Sequence, residues 1–82
     1  MDRPLPLRKL RRILRRFGVH EDSSRGKGSH TYFYKEFAEG EVGYPVPTKH
    51  EPVLICYVRE CRRVFRLTAA DGISDKQFYG AG

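Results

Sequence analysis

The chain has 82 residues, which makes it one domain, 1–82, with no room for a second domain or a large cofactor cavity. Hydrophobic residues make up 39% and charged residues 32%, yet five Phe and five Tyr supply bulky anchors and so exclude a disordered composition. The net charge is +6, and no apolar run approaches the roughly 18 residues of a membrane span.

Residues 7–18, LRKLRRILRRFG, predict an amphipathic helix. Leu7, Leu10, Leu14 and Phe17 recur at helical spacing, with Ile13 on the flank. The opposite face carries Arg8, Lys9, Arg11, Arg12, Arg15 and Arg16, and Gly18 stands where a left-handed C-terminal cap is expected. Residues 19–22 read as a short first strand and 23–28 as a polar, glycine-bearing loop. His30–Lys35 is the clearest strand; period 2 sets Tyr32 and Tyr34 on one face, Thr31 and Phe33 on the other. Glu36–Glu41 is an acidic turn, and Val42–Val46 returns antiparallel, with Pro45 and Pro47 marking an edge. Residues 52–67 predict a second amphipathic helix that starts at 51–52. Leu54, Tyr57, Val58, Cys61, Val64 and Phe65 form its apolar side; Arg59, Arg62, Arg63 and Arg66 lie largely opposite. Ser74 and Gln77 form a capping box for a short third helix, with Ile73 and Phe78 as its staple. The expected fold is α+β in the order α-β-β-β-α: a three-stranded antiparallel sheet, two helices on one face and a short C-terminal helix.

The charge is unevenly placed. Residues 1–27 hold nine Lys/Arg and three acids, whereas residues 28–82 hold seven of each, so the whole excess lies in the first third. Eleven of the basic residues are Arg, the side chain suited to bidentate phosphate contact. This points to a polyanion, nucleic acid being the commonest, or to a merely solvated face. Arg8, Arg11, Arg12, Arg15, Arg16, Arg25 and Lys27 are the candidate nucleic-acid-binding residues.

His30 closes the run Arg25-Gly26-Lys27-Gly28-Ser29-His30 where the clearest strand begins. Two glycines allow close backbone approach to a phosphate, and their N–H groups with Lys27 and Arg25 can form an anion cradle. A histidine beside cations is held towards its neutral, base-competent form; the alternative is a flexible loop ending in a surface histidine. His50 either helps an anion to the second helix N-terminus or decorates a loop. His20 reads as a surface or strand residue. Cys56 and Cys61 are five apart on a helix, rotated about 140° from each other, so they neither pair nor share a metal and are expected in the core. Two cysteines are too few for a disulfide scaffold, and the opening MDRPLPLRKL lacks the apolar stretch of a signal peptide, so the expected compartment is the cytoplasm.

With these residues in place the chain resembles the HicA (YcfA-like) toxins, small RNA-cleaving partners of toxin–antitoxin pairs. The likeness lies in the helix ending Phe17-Gly18, in Gly28-Ser29-His30 opening an aromatic strand, in Val46-Pro47 with His50 nearby, in the second amphipathic helix, and in Ile73-Ser74 to Phe78. It spans about residues 7–79. The family commonly carries P-x-H after its third strand, whereas here His50 lies three residues after Pro47. The resemblance implies a fold similar to double-stranded-RNA-binding domains and a metal-independent ribonuclease acting on messenger RNA. It implies a single strand-borne catalytic histidine, which carries over to His30, and a separate HicB-like antitoxin that covers the site. Gly28 and Ser29 carry over as motif positions. Neither a metal nor a small-molecule cofactor is expected, because the RNA supplies its own nucleophile. RNA is expected across the sheet edge and the basic first helix, with His50 or a second role of His30 protonating the leaving group. A competing expectation is a non-catalytic RNA- or DNA-binding module of the same fold, which has no need of His30. A membrane-surface or docking role for helix 7–18 would compete with the sheet for its few apolar residues.

Overall fold

A computed structural model describes residues 1–82. The apolar residues after Pro6 recur every three or four positions, and they build α1, Leu7–Arg16, which buries Leu10, Ile13 and Leu14. No acidic residue lies in the first turn of α1. Glu51 supplies one from elsewhere: its carboxylate accepts from the Leu7 N–H at 3.0 and 3.1 Å, satisfying a helix-start donor and facing the positive end of the dipole. At the other end Gly18 takes φ +80°. The Val19 N–H bonds the Leu14 carbonyl at 2.9 Å and the Gly18 N–H bonds Arg15 at 3.0 Å, a Schellman closure.

Three strands follow: β1 His20–Asp22, β2 His30–Phe37 and β3 Gly40–Pro47. They form one antiparallel sheet in the order β1-β2-β3. His20 pairs with Tyr34, and on the other side Tyr34 pairs with Gly43 and Tyr32 with Pro45. Alternation then sorts the side chains. Thr31, Phe33 and Val46 turn inward and are buried; His20, His30, Tyr32, Tyr34, Gly43 and Pro45 share the outer face.

The second helix starts later than expected. Val53 is extended and exchanges hydrogen bonds with Leu5, at 2.7 and 3.2 Å, and the Glu51–Pro52 peptide is cis. With Val53 bridged to Leu5, the helix α2 runs Ile55–Val64, and Leu54 is 52% exposed rather than part of the apolar side. Val58, Cys61 and Phe65 are buried as expected. Arg62, expected on the polar side, is buried at 4% exposure. Its Nε donates to the Leu67 carbonyl, its Nη1 to Asp2 and Asp75, and its Nη2 to the Ile73 carbonyl, at 2.6–3.1 Å. A buried charge requires such partners, and here they tie α2 to both ends of the chain. After a 3₁₀ turn, Ala69–Asp71, comes α3, Asp75–Gly80, with the Ser74–Gln77 capping box in place.

Leu10, Ile13 and Leu14 of α1, Val58 and Cys61 of α2, Phe78 and Tyr79 of α3, and Phe33 and Val46 of the sheet belong to one buried cluster. The helices α1 and α2 thus cover the inner face, α3 packs against α1, and the outer face keeps no helix against it. Leu5 joins the cluster, so the core begins slightly before residue 7. No helix is long and apolar enough to cross a membrane.

Candidate nucleic-acid interface

The loop between β1 and β2 is held at several points. Asp22 accepts from the Ser24 N–H at 3.0 Å and from its hydroxyl at 2.6 Å. Gly26 lies against the start of β2: a Cβ there would stand 2.3 Å from the His30 carbonyl oxygen, so only glycine fits. Gly28 is a glycine for a different reason, its φ of +61°. The Ser29 carbonyl accepts from Thr48 at 2.6 Å, which fixes the loop to the end of β3.

His30 emerges from this frame exposed, with its Nδ1 3.2 Å from the Lys27 carbonyl oxygen. A carbonyl only accepts, so Nδ1 carries the proton and the neutral ring presents its Nε2 lone pair. The ring lines an open groove of about 420 Å³ with Arg25, Gly26, Lys27, Tyr32 and Pro45. Three residues of the expected anion cradle, Arg25, Gly26 and Lys27, therefore lie together with His30. Gly28 and Ser29 do not line the groove; they shape the turn beneath it. Tyr32 and Pro45 were missed, although period 2 places Tyr32 on the His30 face and antiparallel pairing brings Pro45 beside it.

A second concavity, about 390 Å³, lies where α1 meets β1, lined by Arg11, Arg15, Val19, His20, Glu21, Phe33 and Tyr34. His20, exposed as expected, has a neighbour that sequence spacing did not reveal: its ring centroid is 5.3 Å from that of Tyr34. Between the two hollows Tyr34 and Tyr32 stand 6.2 Å apart.

The first-helix arginines do not act as one surface. Arg11 is committed inward, its Nε and Nη2 donating to both oxygens of Glu21, which also accepts from Thr31 at 2.6 Å. Partial burial pushes the Glu21 pKa up, but the Arg11 and Thr31 hydrogen bonds outweigh it and hold the carboxyl below its ordinary range. Arg12 donates to the Gly82 carbonyl at 3.1 Å. Arg15 lines the second concavity, while Arg8 and Arg16 are exposed and line neither hollow. His50 is exposed, lines neither hollow, and precedes the first residue of α2, Ile55, by five positions.

The stretch expected as an acidic turn, Glu36–Glu41, is mostly strand, with Glu36 in β2 and Glu41 in β3, and two of its three acids are paired. Glu41 accepts from Arg25 at 2.6 Å and Glu39 pairs with Arg66 at 3.0 Å. The Arg25 guanidinium at the same time lies over Tyr32 and Tyr34, 4.5 and 5.0 Å from their ring centroids. Of the cysteines only Cys61 is in the core, where burial pushes its thiol up to about 12; Cys56 is exposed. Comparison with protein-family models, with curated proteins and with solved structures finds no match to this chain.

Proposed function

We propose that this protein is a metal-independent endoribonuclease with His30 as its base, and the toxin of a toxin–antitoxin pair of the HicA kind. The observation that carries the reading is the His30 ring, oriented by the Lys27 carbonyl at 3.2 Å with Nε2 left to accept, in a groove shared with Arg25 and Lys27. Nε2 takes the proton of a ribose 2′-hydroxyl, O2′ attacks the adjacent phosphorus, and the bond to the 5′-oxygen breaks. The products are a 2′,3′-cyclic phosphate and a 5′-hydroxyl, the departing oxygen taking its proton from the solvent that reaches the exposed ring. Lys27 and Arg25 offset the charge that develops on the phosphate. The nucleophile belongs to the RNA, so the step calls for no metal-bound hydroxide. The α-β-β-β-α order with helices on one face supports a double-stranded-RNA-binding-domain type of fold. The substrate in this reading is messenger RNA in the cytoplasm, and a HicB-like antitoxin protein silences the toxin by covering the His30 groove.

The test is RNA cleavage in EDTA, wild type beside His30→Ala. Wild type leaves cyclic-phosphate and 5′-hydroxyl ends. His30→Ala loses activity about 100-fold or more, keeps its fold and still binds RNA. Undiminished cleavage by His30→Ala would remove His30 from the chemistry. No cleavage by either protein, with salt-sensitive binding by both, would make the chain a binding module.

A further inference from the structure

On the outer face of the sheet, ring systems lead from one hollow to the other. Starting at His30, the next outward residues of β2 are Tyr32 and Tyr34, and His20 stands across from Tyr34 on β1. Centroid separations are 6.2 Å for Tyr32–Tyr34 and 5.3 Å for Tyr34–His20. No helix covers this face. The Tyr32 ring has a built seat: a Cβ on Gly43 would fall 1.8 Å from the Tyr32 hydroxyl, so the glycine of β3 is what lets the ring lie there. Cations flank the row, Arg25 and Lys27 in the His30 groove and Arg15 in the other hollow.

We infer that this row is a stacking platform for the bases of single-stranded RNA, running from the His30 groove to the Arg15 hollow and covered in the free protein by the Arg25–Glu41 pair. The inference deepens the ribonuclease reading, because the platform begins at the same groove and names the substrate as unpaired strand. A base can lie on a tyrosine face only when it is free of its own partners, which duplex bases are not. The guanidinium of Arg25 now holds the place over Tyr32 and Tyr34 that a base would take. Its ionic anchor is a pair with both side chains solvent-accessible, 41% for Arg25 and 33% for Glu41, and contributes little; the rest of its hold is the two ring faces that a base would compete for. An RNA phosphate is a chemically equivalent acceptor. When it replaces the Glu41 carboxylate, Arg25 follows the backbone and uncovers the rings.

The probe is a fluorescein-labelled 2′-O-methyl RNA dodecamer, which cannot be cleaved through its 2′-oxygen, used single and annealed to its complement. Fluorescence anisotropy should show the single strand bound about 10-fold or more tightly than the duplex. Tyr34→Leu and Tyr32→Leu should each weaken single-strand binding roughly 5- to 150-fold, the range for loss of one stacked base, whereas Tyr34→Phe keeps wild-type affinity. Gly43→Ala displaces the Tyr32 ring without changing Tyr32 and weakens binding in the same direction. Glu41→Gln frees Arg25 and tightens binding by up to about 5-fold. Circular dichroism and melting of each variant separate lost stacking from lost folding. Equal affinity for duplex and single strand, or wild-type affinity in folded Tyr34→Leu and Gly43→Ala, would overturn the platform. Because the probe resists cleavage, a wild-type protein that fails to cut ordinary RNA but shows this binding pattern refutes the ribonuclease reading and leaves the platform standing.

Discussion

A histidine serves as a base only when the proton of its neutral ring is on the nitrogen facing away from the substrate. At His30 the Lys27 carbonyl faces Nδ1, and it is placed there by a loop whose two glycines act differently. Gly26 permits contact with the start of β2, and Gly28 permits a left-handed turn. Side chains of one type likewise diverge with their surroundings. Cys56 and Cys61 lie on the same helix, yet one thiol meets solvent and the other is pushed up to about 12 by burial. A disulfide reagent at neutral pH should therefore modify one thiol per native chain, the one at Cys56, and two only after denaturation; peptide mapping identifies the site. Rapid modification of both thiols in the folded protein would contradict the burial of Cys61.

Both longer helices end in the same closure, but with different residues. Gly18 caps α1 at φ +80°, and Arg66 caps α2 at φ +59°, where a side chain strains the backbone. In α2 the Leu67 N–H reaches the Arg62 carbonyl at 2.7 Å, so the motif forms despite that strain. The Arg66 side chain gains in return: it pairs with Glu39 and lies 4.2 Å from the Phe37 ring centroid. Replacing Arg66 by Ala removes those contacts and keeps the strain, while Gly removes both. Arg66→Gly should consequently be the more stable of the two variants by about 1 kcal/mol, read as a difference in urea midpoints. The reverse order would mean that the left-handed turn does not limit this helix end.

For the whole molecule, the charges that matter to stability are gathered on Arg62. Its hydrogen bonds reach Asp2, Asp75 and two backbone carbonyls, and Asp2 also accepts from the Tyr79 hydroxyl at 2.9 Å. Arg62 holds the Asp75 carboxyl down at about 2, with help from the N-terminal ammonium. Partial burial raises Asp2, but hydrogen bonds from Arg62 and Tyr79 bring it below its ordinary value. Folded carboxyls with depressed pKa values bind protons less readily than unfolded ones, so their contribution is complete at neutral pH. It declines below the ordinary values of 3.8 for Asp2 and Asp75 and 4.5 for Glu21, and is lost as pH falls through the folded values. Melting temperature should fall steeply from pH 5 to pH 2. Arg62→Met, which strands these partners, should cost about 2–4 kcal/mol at pH 7 and flatten the acid slope. A variant that melts like wild type at both pH values would show that the cluster contributes nothing.

Local rules made much of this visible in the sequence. Helical spacing located α1 and its Gly18 end, period 2 sorted the faces of β2, and the Ser74–Gln77 box marked the start of α3, because each depends on neighbours within a few residues. The juxtaposition of Arg25, Gly26 and Lys27 with His30 was legible for the same reason, because they lie within one short stretch of chain. What the sequence could not settle were partnerships across the fold. Val53 is held extended by Leu5, Glu51 reaches back to the start of α1, Arg62 is buried by residues from both chain ends, and Arg11 is spent on Glu21. Tyr32, Tyr34, His20 and Gly43 become one surface only through strand register. Periodicity tells which way a side chain points; only the packed tertiary structure determines which distant group it meets, and so whether a charge or a ring is left free to bind.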